Sequence, residues 1–294
     1  MAKTPMTARR RISIATWKPP REGVIFGNLR LDATKALDYM AKLRENTGQK
    51  VTITSFMGAV TGRALAAEPT LNGRIHMGKY IPYDTVDLSY LVQLDGGKNL
   101  AQVKVEHADQ LSPLEIAQLL QARAERVRSG GDKNFNKSLA MTEKMPTPIL
   151  RRILSMGGFM TTGVGKAFAG QPAYPFGSAI ITSIGMLGID EACIPPTPWA
   201  RVPLYVGIGK ISDQVFAIDG KPEVRPGITI GATLDHRFVD GFQAGIVAKI
   251  VREAFDNPEM LGAIPPKSAQ SIEPSAPAEP SESSTSEESE QPDA

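Results

Sequence analysis

Between residues 228 and 255 the apolar pattern changes period once, and this switch restricts the fold more than any other feature of the chain. In "ITIGATL" (228 to 234), Ile228, Ile230, Ala232 and Leu234 share one side of an extended segment, the period of a strand with a buried face. In "FQAGIVAKIVREAF" (242 to 255), Phe242, Ile246, Val247, Ile250 and Val251 recur at helical spacing and are expected to face a core. A strand and a helix this close, each with one apolar side, pack as adjacent layers.

The rest of the body repeats this alternation. Strand signals lie at 86 to 94, 178 to 184 and 203 to 211. The clearest other helix is 112 to 131, with Ser112 and Glu115 as a capping box, Pro113 in the first turn, and Gly130 and Gly131 at its end; Leu119, Leu120 and Val127 supply its buried side. Helices are also expected at 33 to 45, capped by Asp32 with Leu37, Met40 and Leu43 inward, and at 55 to 67, burying Phe56, Val60 and Ala64. Neither a repeat nor strict βαβ alternation is visible, so the pattern predicts an α/β domain with helices on a mixed sheet. Between 131 and 176 the periodicity breaks into Pro- and Gly-punctuated sequence containing the apolar, basic "ILRRILSMGGFM", which reads as an insertion.

Charge marks the other boundary. Residues 265 to 294 carry one basic and seven acidic side chains, a net of −6 against +2 for the whole chain, which leaves +8 on the body. That Pro, Ser and Glu tail has almost nothing to bury and is expected to be disordered, so the domain is placed at 1 to 264. The body's positive charge is not interleaved with aromatics, which argues against a nucleic-acid partner. No stretch is long and apolar enough to span a membrane and no secretory leader pattern is seen, so a cytoplasmic location is expected. A single cysteine, Cys193, and three scattered histidines argue against a metal site.

Two nucleotide-loop look-alikes fail at their own key positions. "GVGKAF" (163 to 168) has Ala167 where a phosphate loop needs a hydroxyl, and "GIGKIS" has Ser212 at the third glycine position. Ser183 does not sit on a nucleophile elbow, because Ile181 replaces the required glycine. What remains is the link between the opening strand and helix, "DHRFVDG". A histidine held on a strand-to-helix turn is placed to accept a thiol or hydroxyl proton near neutral pH. Read alone, His236 is more simply a turn residue and Asp240 an N-cap.

In context the segment says more. "TLDHRFVDGFQAGIVAKIVREAFDNPEML" resembles the HxxxDG motif and following helix of the acyltransferase component of 2-oxo acid dehydrogenase complexes, a family that shares its fold with chloramphenicol acetyltransferase. "SAIITSIGMLGID", "PPTPWARVPLYVGIGKI", "DGKPEVRPGITIGATL" and "VTITSFMGAVTGRALAAEPTLNGRI" are similar to further family stretches in the family's order, over roughly residues 10 to 262. The resemblance implies a mixed-sheet two-layer sandwich and a coenzyme A-dependent acyltransferase, with coenzyme A as a substrate. It also implies that His236 is the general base and Thr182 the hydrogen-bond donor to the oxyanion. Asp240 would hold the active-site turn, and Arg21 is its candidate partner. A homotrimer, or a multiple of trimers, is implied, with the site shared between neighbouring subunits.

The expected region starts almost at Met1, so no lipoyl attachment domain is expected on this chain; the acceptor is left open among a thiol, a hydroxyl and an amine, with a lipoyl-carrying protein as one candidate partner. The 131 to 176 insertion and the acidic tail are atypical of the family. The alternative is a non-catalytic trimeric scaffold built on the same fold.

Overall fold

The computed structural model describes residues 23–94, 99–128 and 145–265. Val24–Asp32 (β1) leads into Thr34–Thr47 (α1) and Ile53–Ala67 (α2), then a small hairpin, Gly73–His76 (β2) and Lys79–Pro82 (β3). Leu88–Leu94 (β4), Asn99–Val105 (β5), Pro113–Arg128 (α3), Thr147–Gly158 (α4), Ala179–Ser183 (β6), Leu204–Ile208 (β7), Ser212–Ile218 (β8), Lys221–Asp235 (β9) and Gly241–Asp256 (α5) follow.

The main sheet runs β1-β9-β7-β6-β4-β5, with β8 paired to the first half of β9. It is mixed: β4–β6 and β6–β7 are parallel and the other pairs antiparallel. β9 organises it. Its 15 residues pair first with β8 and then with β1 on one side and β7 on the other.

Alternation along the strands separates two faces. Ala179 and Ile181, Leu204, Val206 and Ile208, and Ile228, Ile230 and Leu234 join Met40, Leu43, Phe56, Val60, Ile116 and Phe255 of the helices in the main core. The intervening residues face away from the helices, where Ile180 and Tyr205 pack under Ala200 and Val202. The fold is therefore a mixed α/β two-layer sandwich.

Most expected elements are present with shifted ends. The alternation in 228 to 234 belongs to a strand beginning at Lys221, because the preceding residues pair with β8. The box of Ser112 and Glu115 caps α3, with the Ser112 N–H donating to Glu115 Oε2 at 2.7 Å. Asp32 does not occupy the cap position of α1, which is Ala33; its carboxylate accepts the Thr34 N–H at 2.9 Å from the last residue of β1. Among the described side chains of α3, Ile116 is fully buried and Leu119 and Leu120 are half-buried against the core; the side chain of Val127 lies outside the described ones. Phe242 is the clear departure from the helical pattern: it is 76% exposed, because it lies in the first turn of α5 before the helix reaches the core, and Ala254 and Phe255 bury instead. Residues 129–144, Arg21 and the tail from 266 on lie outside the described residues; the rest of the expected insertion holds α4 and a π-helical turn, Phe159–Val164. Among the described residues no helix is long and apolar enough to cross a membrane.

Candidate active site

His236 follows the last residue of β9 and is exposed. Its N–H donates to the Gly23 carbonyl at 3.2 Å, which ties the turn to the chain entering β1. The flanking residues are clamped to each other, as the Arg237 N–H and Nε donate to Asp235 Oδ1 at 3.0 and 2.9 Å. Nδ1 of His236 lies 2.7 Å from the carbonyl oxygen of Val239. A carbonyl can only accept, so Nδ1 carries the hydrogen and a neutral ring keeps its lone pair on Nε2. Val239, 4% exposed, anchors that carbonyl in the core.

Asp240 has a different part. It is the N-cap of α5: its carboxylate accepts the Phe242 N–H at 2.8 Å while its own N–H donates to Gln243 Oε1 at 3.0 Å. The spacing of the motif follows from this geometry. His236 needs the third residue on to receive Nδ1–H, and the fourth starts the helix that fixes it.

Thr182 lies in β6 and is half-buried. Strand alternation places it on the face away from the helices, level with Gly207 of β7 and, through that strand, Gly231 of β9. Both glycines let the segment around Ala192 cross the sheet closely: a Cβ on them would stand 2.9 and 2.5 Å from the Ala192 carbonyl oxygen. The structure does not bring Thr182 and His236 together within one chain. His236 is five residues beyond Gly231 and two strands from β6, which at strand dimensions is a separation of roughly 19 Å.

A cleft of about 200 Å³ adjoins the His236 turn, lined by Ile75, Pro198, Arg201, Asp235, Arg237 and Phe238. Arg201 was not legible in the sequence as a residue near the histidine. It enters from the loop before β7 with a left-handed φ of 53°, and its guanidinium lies 5.6 Å from the centre of the Phe159 ring.

A family model described as "2-oxoacid dehydrogenases acyltransferase (catalytic domain)" matches residues 26–134 and 176–263. The chain is similar to the dihydrolipoyllysine-residue succinyltransferase component of the 2-oxoglutarate dehydrogenase complex of Rickettsia bellii, 26% identical over 223 residues, covering 76% of this chain and 46% of the relative. It is also similar to the dihydrolipoyllysine-residue acetyltransferase component of the acetoin cleaving system of Bacillus subtilis, 26% identical over 240 residues, covering 79% and 49%. The chain thus spans about half the length of these curated relatives. Among solved structures, the dihydrolipoamide acetyltransferase of Azotobacter vinelandii superposes with a TM-score of 0.62 at 19% identity, over 89% of this chain and 93% of that one; a serine, a histidine and an asparagine have been examined in its catalytic mechanism.

Proposed function

Because the chain belongs to the family of 2-oxoacid dehydrogenase acyltransferase catalytic domains, we propose that it transfers an acyl group between a coenzyme A thioester and a thiol acceptor, with His236 as general base. The observation that carries this reading is the 2.7 Å contact from Nδ1 to the Val239 carbonyl, which leaves Nε2 as the acceptor of a proton. Nε2 takes the proton of the acceptor thiol, and the sulfur attacks the thioester carbonyl carbon. The carbonyl oxygen becomes an oxyanion, to which the Thr182 hydroxyl donates. Collapse re-forms the carbonyl, breaks the bond to the coenzyme A sulfur, and returns the proton from the imidazolium to that leaving thiolate. Asp240 acts through the turn, capping α5 and so holding the Val239 carbonyl against the ring.

Thr182 can serve His236 only across two copies of the chain, given the roughly 19 Å between them along the sheet. Exposed aromatics near the histidine support a covered surface there: Phe26, paired in register with Thr233, is 57% exposed and Phe242 is 76% exposed. We assign the site to the contact between neighbouring subunits of a trimer. The acceptor is a dihydrolipoyl group, as the names of the relatives suggest, presented by a lipoyl-carrying segment or partner, and residues 26 to 263 form the catalytic domain.

The test is to incubate the purified protein with acetyl-, succinyl- and branched-chain acyl-coenzyme A and dihydrolipoamide, and to follow acyl-dihydrolipoamide and free coenzyme A by mass spectrometry. Acyl transfer lost in a folded His236→Ala protein is the expected result. Transfer that persists in that variant removes the histidine from the mechanism.

A further inference from the structure

Residues 135–175 fall between the two stretches matched by the family model, and their described part presents a surface of its own. α4 turns Leu150 and Gly158 inward, and Gly158 is so close to the loop before β7 that a Cβ would stand 2.0 Å from the Trp199 carbonyl oxygen. Leu150 and Gly158 thus hold the inner side of the helix, with Leu154 half-buried between them. On that outer side Ile149, Met156 and Phe159 are 52%, 50% and 43% exposed, with Arg151 and Arg152 exposed beside them. At 3.6 residues per turn, Ile149, Arg152, Met156 and Phe159 fall within about 80° of one another.

The patch continues onto a second element. The ring of Phe159 is 5.8 Å from that of His76, which brings the β2–β3 turn alongside. At the tip of that turn Met77 is 86% exposed in a left-handed conformation, φ 50°, that a methionine rarely adopts, and Lys79 is exposed beyond it. Along the chain from Lys144 the charge of this segment has one sign. From Lys144 to Ile189 the sequence holds no aspartate or glutamate, while Arg151, Arg152 and Lys166 are basic and exposed.

We propose that this face rests on an anionic phospholipid membrane surface. Ile149, Met156, Phe159 and Met77 enter the boundary between head groups and acyl chains, and Arg152, Lys166 and Lys79 meet the lipid phosphates, the combination by which an amphipathic helix lies in an interface. A second copy of this chain is the poorer occupant. A two-fold contact of this face with itself would set Arg152 against Arg152, and a head-to-tail contact between subunits is separated by the assembly measurement below. Contacts common to the family would also have to lie in the matched stretches rather than between them.

The test is co-sedimentation of the full chain with vesicles of phosphatidylcholine alone, or mixed with phosphatidylglycerol at about three to one. The protein should pellet with the mixed vesicles and not with the neutral ones. Each basic residue near an anionic surface changes partitioning by roughly fivefold, so Arg152→Glu with Lys166→Glu should lower it about 25-fold or more. Ile149→Ser with Met156→Ser should also release the protein, with the thermal midpoint of both variants unchanged. Ser155, exposed on the same side of α4, gives a reporter: the emission of Ser155→Trp should shift to the blue on addition of mixed vesicles. The proposal is overturned if the wild-type protein ignores mixed vesicles or if the charge-reversed variant binds as well as wild type. It is equally overturned if Ile149→Ser with Met156→Ser dissociates an assembly in sedimentation velocity, which would make the face a subunit contact.

Discussion

Replacing Gly58 by alanine tests how the helix layer positions the strand beside Thr182. A Cβ at Gly58 would stand 1.9 Å from the Tyr90 hydroxyl oxygen, 3.0 Å from Tyr90 Cζ and 3.3 Å from Ile116 Cδ1. Tyr90 is 1% exposed and its hydroxyl has no hydrogen-bond partner among the described residues, so the ring has no free space into which to retreat. Overpacking of this kind costs about 3 kcal/mol, which for a chain of this size lowers the melting temperature by roughly 6 to 12 °C. Tyr90→Phe removes the oxygen that causes the closest clash and also a buried unpaired hydroxyl, so alone it should be neutral or stabilising by about 1 kcal/mol. Gly58→Ala on the Tyr90→Phe background then faces only the 3.0 and 3.3 Å contacts, which small shifts relieve, and a coupling of about 2 kcal/mol is expected. Tyr90 pairs in register with Ile181, the residue before Thr182, so Gly58→Ala alone should also reduce acyl transfer and the double variant should restore it. Urea denaturation of the four proteins at one protomer concentration measures the cycle. Additive effects of the two substitutions would refute the steric argument.

Three further outcomes follow from the site and the sheet. In a folded protein His236→Ala should lower turnover by roughly 10² to 10⁴, and Thr182→Val, nearly isosteric, by about 10² to 10³, as measured by coenzyme A release. Asp240→Ala removes the α5 cap and should cost about 1 kcal/mol of stability along with activity, whereas Asp240→Asn, which can still cap, should retain most of both in urea titrations and turnover assays. Burial raises the Asp32 carboxyl, but hydrogen bonds from Thr34 and the Arg225 guanidinium outweigh it and hold it below the usual carboxylate range. Its contribution is therefore present above the ordinary aspartate value and lost as pH falls through the lowered one, and Asp32→Asn should flatten the stability profile below about pH 4 in acid titrations by circular dichroism.

The sandwich was legible because the two periods in β9 and α5 are clean and the residues obeying them are local. Where neighbours decide, the pattern misled. Phe242 fits the helical stripe by spacing, yet it stands on the first turn of α5, beyond the core of a single chain. The full length of β9 was hidden because the residues before Ile228 face no core and are ordered by pairing with β8. At the candidate site, the motif singled out His236 and Asp240, and their spacing has a cause in the Val239 carbonyl and the helix cap. Arg201 carried no signal, since its place in the cleft with Asp235 and Arg237 depends on a left-handed turn and on Phe159, which is far from it in sequence. The separation of Thr182 from His236 is a property of strand register, which single-strand periodicity does not encode.

The central claim is that each site takes His236 from one subunit and Thr182 from its neighbour, and mixed assemblies test it directly. The His236→Ala and Thr182→Val proteins are unfolded together in equal amounts and refolded, and native mass spectrometry verifies mixed trimers. Every contact in a cyclic trimer pairs one chain's histidine with the next chain's threonine, so a random mixture makes about one contact in four fully intact. Acyl transfer should return to about a quarter of the wild-type rate. Activity that stays at the level of the separate variants, with mixed trimers present, would contradict the shared site.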